Sequence, residues 1–250
     1  MAIIKTRGIV IKRVSLGEAD RILTILTEDR GKIRVVARGI RRPKAKMGGF
    51  LETFRFNEYL LAEGRNLDIV TSVSTIDNLQ GISINLQGIA LAYYIAEITD
   101  KLIEETLEVN HVFPLVYTSL KAISFGRVPA NLIRSFFEIN ILTLLGFKPE
   151  LDYCIECRRP VMAGAFSFNL GGILDVAHQS SDPIAVGISQ KELATLRQMI
   201  SNDLDVVAIN PEIATMLPKI SRICSGFLDY MMDQNLRSKE FLNEMSELEY

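Results

Sequence analysis

Residues 21–38 read RILTILTEDRGKIRVVAR, and this stretch predicts a β-hairpin. Two runs rich in β-branched residues flank Glu28–Gly31, whose composition is typical of a tight turn. In the second run polar and apolar residues alternate, so Lys32, Arg34 and Arg38 are expected on one face of the sheet. The hairpin therefore indicates a β-rich N-terminal part that carries cations on one surface.

Three further stretches have the composition of strands, namely Thr6–Val14, Phe50–Ala62 and Leu67–Val73. Five short strands within the first 80 residues suit a small barrel of the OB type, with a small sandwich or an SH3-like barrel as the competing fold. Alternation along the longest stretch places Tyr59 on the same face as Arg55. An exposed ring there could stack on a nucleic-acid base, although packing is the commoner role of a single aromatic residue.

The connection after the hairpin is strongly basic, because residues 30–46 contain eight cations and no acid. One interpretation is a solvated charge run that keeps an exposed sheet edge from pairing. The favoured interpretation is phosphate-backbone binding, because uncompensated cations repel one another unless an anion is bound. No base-reading motif accompanies the run. The predicted phosphate-contacting residues are Lys32, Arg34, Arg38, Arg41, Arg42, Lys44 and Lys46.

The whole chain has 250 residues, 48% of them hydrophobic and 23% charged, which is typical of a globular protein. Its formal net charge of −2 hides an asymmetry. Residues 1–80 carry 15 Lys and Arg against 9 Asp and Glu, whereas the other 170 residues carry 13 against 21. Separate domains are expected, the first with a polyanionic partner. No apolar run is long enough to span a membrane, and three cysteines do not make a disulfide framework, so we expect a cytoplasmic protein.

The period of the hydrophobic pattern changes to a helical one after residue 80. Helices are predicted over Gln87–Glu105, Val112–Ser124, Ala130–Leu145 and Ser189–Ile200, and a long C-terminal one runs through Ile213 and Phe227. Ser189 and Glu192 form the capping-box pattern, and Pro218 is expected to kink or restart the last helix. The predicted domains are 1–80, an OB fold; 81–150 and 181–250, two parts of a helical domain; and 151–180, a small insertion.

The insertion contains the pattern C-x₂-C-x₁₇-D-x₂-H, formed by Cys154, Cys157, Asp175 and His178. Two short-spaced ligand pairs at this distance fit the zinc-ribbon template, and zinc accepts all three side-chain types. Aspartate is uncommon in structural zinc sites and binds more weakly than thiolate. Zinc is therefore a possible cofactor, and the narrowly favoured alternative is a metal-free ribbon that packs three apolar residues, Phe166, Phe168 and Ile173.

The order and spacing of several short motifs resemble the bacterial RecO family of DNA-repair proteins over nearly the whole chain. The motifs are Gly17–Leu23, Leu26–Glu28, Gly31–Lys32, Ala37–Lys44, Phe137–Glu138, Leu144–Leu151, the Cys154 and Cys157 pair, and Leu236–Lys239. The resemblance implies an N-terminal OB fold, a helical domain and a zinc-finger-like insertion. It also implies binding of single- and double-stranded DNA, annealing of complementary strands, and loading of the recombinase RecA together with RecR and single-stranded-DNA-binding protein. Asp175 and His178 stand where many members have a second cysteine pair.

The sequence favours a binding protein over an enzyme, because it contains no phosphate-binding loop, dinucleotide-binding fingerprint or hydrolase motif. Annealing agrees with this, since the protein need only screen phosphate repulsion while the DNA supplies the pairing energy. A basic OB-fold RNA-binding or transcription-associated factor is the alternative, and a hydrolase with an undetected site is a third class.

Arg134 has two interpretations. It is either the partner of Glu138 in an i,i+4 ion pair or, with Lys121 and Arg127 as neighbouring cations, a receptor for an acidic, apolar peptide tail. The resemblance implies that this peptide is the C-terminal tail of single-stranded-DNA-binding protein.

Overall fold

The computed structural model describes residues 3–43, 45, 47–105, 111–232 and 236–247. The chain folds into two compact units. The first unit contains Met1–Arg127 together with Leu236–Tyr250, and the second contains Val128–Asn235. The second unit is thus inserted into the first, because the chain returns to the first unit after residue 235.

Among the described residues of the first unit, five strands close into a barrel with the order β1-β2-β3-β5-β4. The strands are β1 (Ile3–Leu16), β2 (Asp20–Thr27), β3 (Lys32–Ala37), β4 (Phe56–Ala62) and β5 (Asp68–Asp77). Neighbouring strands are antiparallel, except that β3 and β5 are parallel. Aliphatic side chains such as Leu23, Ile25 and Val35 fill the interior. The predicted five-stranded barrel of the OB type is confirmed.

The first half of the predicted strand Phe50–Ala62 is wrong, because Gly48–Leu51 form a 3₁₀ helix and β4 begins only at Phe56. Of the two roles considered for Tyr59, the structure shows packing, since its ring is fully buried in the barrel and its hydroxyl accepts a hydrogen bond from Asn57 Nδ2 at 3.0 Å. This burial raises the pKa of Tyr59 above its usual range. A buried ring cannot stack on a base.

In the described part of the chain seven helices accompany the strands, which confirms an α+β fold. They are α1 (Leu86–Leu102), α2 (Val112–Phe125), α3 (Ala130–Leu144), α4 (Gln190–Ser201), α5 (Leu204–Ala208), α6 (Ile213–Met232) and α7 (Arg237–Glu247). The short α5 and the separate α7 were not predicted. The capping box at the start of α4 is present, and α6 runs through Pro218 as one helix. No described helix has both the length and the apolarity that a membrane span requires.

Helix α2 covers the outer face of β4, so that neither face of this strand is open to solvent. The Phe56 ring lies 5.3 Å from the Phe113 ring and 5.0 Å from the Tyr117 ring, measured between centroids. Phe56 is therefore buried outside the barrel, while Tyr59 and Leu61 point into it. Alternation alone could not identify the inner face, because both faces of β4 are covered.

Helix α1 supplies acids to the basic face of the barrel. The Asp100 carboxylate lies 2.6 Å from Lys12 Nζ and 3.2 Å from Lys32 Nζ, and the Asp100 carbonyl accepts a further bond from Lys32 at 2.5 Å. Glu105, just after the helix, pairs with Arg34 at 2.7 Å. Burial alone would raise the pKa of Asp100, but the two lysines hold it below its ordinary value of 3.8. The cations of β3 are thus compensated by acids distant in sequence.

We expect Asp100→Ala to lower the free energy of unfolding by about 2–3 kcal/mol, because it leaves the buried Lys32 ammonium beside a single carbonyl. Lys12→Ala should cost less than about 1 kcal/mol, since the Lys12 side chain is half exposed. Because folding lowers the pKa of Asp100, its contribution is complete above pH 3.8, its ordinary pKa, and is lost as the pH falls through the lower folded value. Urea unfolding of the two variants across that range tests the assignment, and equal small losses would contradict it.

The N-terminus of helix α7 is hydrogen-bonded to a side chain of α1. The Glu97 carboxylate accepts hydrogen bonds from the backbone N–H groups of Arg237 and Ser238 and from the Ser238 hydroxyl. These N–H groups have no partner within their own helix, so a carboxylate from α1 acts as the cap. Leu236 and Leu242 are buried on the same side. The C-terminal helix is thereby an integral part of the first unit.

The second unit is a helical bundle with a small sheet. Helix α3 is apolar nearly all round and packs against α4 and α6. Three short strands form the sheet, with the order β7-β6-β8: β6 (Gly164–Ser167), β7 (Gly172–Leu174) and β8 (Val186–Ile188). Cys224 is fully buried on the apolar face of α6 and is a core residue. The sheet and the turn before it carry the predicted metal ligands.

Candidate nucleic-acid interface and metal centre

The loop that follows β3 is held against the turn between β1 and β2. The Arg41 backbone N–H donates to the Ala19 carbonyl at 3.0 Å, and Arg41 Nη1 donates to the Gly17 carbonyl at 2.8 Å. The Gly39 N–H donates to Asp20 Oδ1 at 2.7 Å, and Gly39 adopts a positive φ of 66° that favours glycine. The loop therefore lies at one end of the barrel, beside the β1–β2 hairpin.

Five of the seven predicted phosphate-contacting residues are described, and two of these five are engaged by acids. Lys32 is only 7% exposed and Arg34 is paired with Glu105, so β3 offers less free charge than its sequence suggests. The side chains of Arg38, Arg41 and Arg42 are exposed. Lys44 and Lys46 lie outside the described residues. Asp100 and Glu105 were missed as partners of the strand, and no local pattern identifies them, because the contact is tertiary.

Two of the predicted partner residues surround an exposed aromatic ring at the end of α2. Phe125 is 63% exposed. Lys121 Nζ lies 5.8 Å from its ring centroid, and the Arg127 guanidinium carbon lies 5.9 Å from it. Lys121 also lies 5.4 Å from the centre of the Tyr117 ring. These cation–π contacts place two positive charges beside an apolar surface in the first unit.

Arg134, the third predicted partner residue, belongs to the second unit and is engaged within it. Its Nε lies 2.8 Å from Glu138 Oε1, and its Nη2 donates to Ser225 Oγ at 3.1 Å. Glu138 is fully buried among the core residues of α3. The i,i+4 ion pair is therefore present, and it is a buried one rather than a surface one.

The four predicted metal ligands come together, and their ligand atoms all lie within 4.8 Å of one another. Cys154 Sγ is 3.9 Å from His178 Nδ1, and Cys157 Sγ is 3.2 Å from Asp175 Oδ2. His178 Nδ1 is 2.7 Å from Asp175 Oδ1. In a tetrahedral zinc site with bonds of about 2.0–2.3 Å the ligand atoms lie roughly 3.3–3.8 Å apart. The two distances that involve sulfur are close to this range, whereas Asp175 and His178 are hydrogen-bonded to each other. The donor set fits zinc.

Within the cluster the pKa shifts favour the ionised form of Asp175 and Cys154. The backbone N–H of Arg159 lowers the pKa of the Cys157 thiol, but the Asp175 carboxylate raises it overall, and the same carboxylate raises the pKa of His178. The hydrogen bonds from Cys157 and His178 lower the pKa of Asp175 to about 2. Burial alone would raise the pKa of the Cys154 thiol, but backbone N–H groups, including that of Asp175, lower it overall. The thiolate is the form that binds metal, so the turn around Cys154 is arranged as a ligand-bearing knuckle.

Comparison with known proteins gives a consistent result over both units. Residues 1–79 match the family model described as recombination protein O N terminal, and residues 85–240 match recombination protein O C terminal. A protein of Roseiflexus named DNA repair protein RecO is 32% identical over 249 residues, covering 98% of this chain and 86% of the relative.

Two further proteins with the same name are similar. One from Dehalococcoides mccartyi is 34% identical over 218 residues, or 85% of each chain. One from Bifidobacterium adolescentis is 31% identical over 248 residues, covering 97% of this chain and all of the relative. The resemblance found in the sequence is confirmed, and the chain belongs to the recombination protein O (RecO) family.

Proposed function

We propose that this protein acts in DNA repair by binding single- and double-stranded DNA, annealing complementary strands and, with RecR, helping to load RecA on DNA coated by single-stranded-DNA-binding protein. Relatives of nearly full length are named DNA repair proteins, which supports the process. The observation that carries the DNA-binding part is the exposed cationic loop, Arg38, Arg41 and Arg42, at one end of an OB-type barrel.

The chemistry of annealing suits such a surface. Two strands repel through their phosphates, and base pairing supplies the favourable free energy once that repulsion is screened. A protein that anneals DNA therefore needs phosphate contacts and no catalytic group, which is why we propose a non-enzymatic role. Contacts to phosphate rather than to base edges predict weak sequence preference.

We expect the double variant Arg38→Glu with Arg42→Glu to lose strand annealing and to bind DNA less tightly. The slope of log affinity against log salt on single strands should fall by about 1.4, because each neutralised phosphate contributes about 0.7. Thermal stability should change little, since both side chains are exposed. Binding titrations at several salt concentrations and an annealing assay without nucleotide measure these effects. Arg41 is left intact because it holds the loop to the hairpin.

Arg65→Glu is the matched control, because it reverses one exposed charge away from the loop. Arg65 precedes β5, and the parallel pairing of Val35 with Asp68 places that turn toward the start of β3, whereas the cationic loop follows the end of β3. The control should keep both annealing and the salt slope. Binding by the double variant equal to that of the parent would place the DNA surface elsewhere.

The tail of single-stranded-DNA-binding protein is assigned in this proposal to the surface around Phe125. An acidic, apolar peptide would place carboxylates on Lys121 and Arg127 and an apolar side chain on the exposed ring. Arg134 serves this role less well, because its guanidinium already neutralises Glu138. Fluorescence anisotropy with a labelled acidic peptide, comparing Phe125→Ala with Arg134→Lys, distinguishes the two positions.

The proposed role of the ligand cluster is structural. Zinc held by Cys154, Cys157, Asp175 and His178 would fix the turn after Leu151 to the end of β7. All four positions are filled by protein ligands, which is the arrangement of structural rather than catalytic zinc.

A further inference from the structure

The first unit contains a cleft of about 840 Å³, and Arg38, Arg41 and Arg42 of the cationic loop do not line it. It lies between the second half of β1, the segment at Thr53, helix α1 and helix α7. The volume is in the range of sites that bind small molecules or parts of flexible polymers. The residues that line the cleft indicate which of these two kinds of ligand it binds.

The fold itself directs three elements into the cleft. A bulge at Ile11 interrupts the pairing of β1 with β2, so that consecutive side chains Ile11, Lys12 and Arg13 all line the space. Helix α1 contributes Tyr93, Ala96, Glu97, Asp100 and Lys101, the spacing of one helix face. Helix α7 adds the side chains at its first turn and Phe241.

The charge of the lining favours an anion. Five lining residues are cations and two are acids. Both acids are already neutralised, Asp100 by Lys12 and Lys32 and Glu97 by Lys101 and the N-terminus of α7. Arg21 forms a long ion pair, 3.8 Å, with Glu52, which also pairs with Arg13. Among the described residues the Arg237 side chain forms no ion pair. The Arg237 guanidinium is therefore available for phosphate, and Arg21 can exchange its weak contact with Glu52 for one.

The aromatic residues of the lining favour a ligand with exposed rings. Tyr93 is 45% exposed and Phe241 is 37% exposed. The Tyr93 ring rests edge-on against Phe54, with 4.9 Å between centroids, which fixes its orientation. A second cavity of about 280 Å³ shares Tyr93 and extends the cleft toward Arg55.

The cleft adjoins the cationic loop. Arg21 pairs with Ala37 across β2 and β3, and Ala37 is followed directly by Arg38. A polyanion bound to the loop can therefore continue past Arg21 into the cleft without leaving the protein surface.

We propose that this cleft binds one DNA strand in single-stranded form, with unstacked bases on Tyr93 and Phe241 and phosphates on Arg21 and Arg237. The proposal rests on the DNA binding proposed above and adds a site that selects single strands. Aromatic stacking requires a free base face, which a duplex does not present. The loop, which contacts only phosphates, would bind either form.

The test compares variants of the full-length protein on a thymidine oligonucleotide and on a duplex of equal length. Tyr93→Ala should weaken single-strand binding about ten-fold, because it removes the ring on which a base stacks, and leave duplex binding unchanged. Tyr93→Phe should bind like the parent, because the ring is retained. An oligonucleotide with abasic sites should bind the parent and Tyr93→Ala equally weakly.

Tyr230→Ala removes an exposed tyrosine of the second unit and is the matched control, expected to bind both DNAs like the parent.

The cleft proposal is overturned if Tyr93→Ala binds single strands like the parent, or loses single-strand and duplex binding equally. It is also overturned if an acidic, apolar peptide binds in a Tyr93-dependent manner while the oligonucleotide does not. If the Arg38→Glu and Arg42→Glu double variant loses DNA binding while Tyr93→Ala binds both DNAs like the parent, the proposed DNA-binding function is retained and only the cleft proposal is rejected. Normal binding by that double variant instead removes the function proposed for the loop.

Discussion

Arg134→Ala is expected to lower the free energy of unfolding of the second unit by about 3–5 kcal/mol. The substitution removes the ion-pair partner of the Glu138 carboxylate, which is fully buried. A buried charge without its counter-ion is far more costly than a lost surface pair, because water cannot replace the partner. Urea unfolding monitored by circular dichroism measures the loss.

Two comparisons make the Arg134 result specific. Lys191→Ala breaks an exposed pair with Glu212 in the same unit and should cost less than about 1 kcal/mol. Adding Glu138→Leu to Arg134→Leu should recover most of the stability, because apolar residues can replace a buried ion pair at little cost. A loss below about 1 kcal/mol for Arg134→Ala would show that Glu138 finds another counter-charge or is neutral. The stability measurement is also needed for partner binding. A loss of peptide binding by Arg134→Ala could result from unfolding of the second unit rather than from a lost contact.

Loss of the zinc proposed for the ligand cluster is expected to have the largest effect on stability. Purified protein should contain about one zinc per chain, and Cys154→Ser should release it and unfold the turn and sheet around it, because structural zinc sites contribute about 10–16 kcal/mol of binding free energy to folding. Elemental analysis and melting with and without a chelator measure both effects. Affinity should fall with decreasing pH as protons compete for the thiolates and for His178.

Cys224→Ala is the control for this experiment, because Cys224 is a buried core residue outside the cluster. It should keep the metal even where packing is weakened. Absence of zinc together with unchanged melting in chelator would support the metal-free ribbon. In that case the Phe166 ring, whose centroid lies 5.7 Å from that of Phe168 and 5.5 Å from that of Phe227, would hold the insertion by packing alone.

The sequence predicted those parts of the structure that depend on local periodicity. The β2–β3 hairpin, the helix closed near Gly146 and the capping box at Ser189 all depend on neighbouring residues, and the structure contains them. The metal quartet was identified for a similar reason, because two short-spaced pairs are visible as spacing. That its atoms converge within 4.8 Å is a tertiary result.

The errors arose where distant elements determine the environment. Alternation along β4 did not show which face is the inner one, because Tyr59 is buried in the barrel and α2 buries Phe56 on the outside. Lys32 looked like a free cation, but Asp100, 68 residues later, buries and neutralises it. Tyr93 was not selected at all, because an aromatic residue on a helix usually belongs to the core. Only the arrangement of β1, α1 and α7 around it gives the ring an open surface.

The capping of α7 by Glu97 has a consequence for biosynthesis. The two groups are about 140 residues apart in sequence, so the ribosome makes the whole second unit before it makes the last helix of the first. The barrel and α1 therefore emerge early with the face that receives Leu236 and Leu242 uncovered. Exposed apolar surface of this kind in a nascent chain is prone to misassociation and is a common target of chaperones. The unit whose sequence begins first is thus the last to be completed.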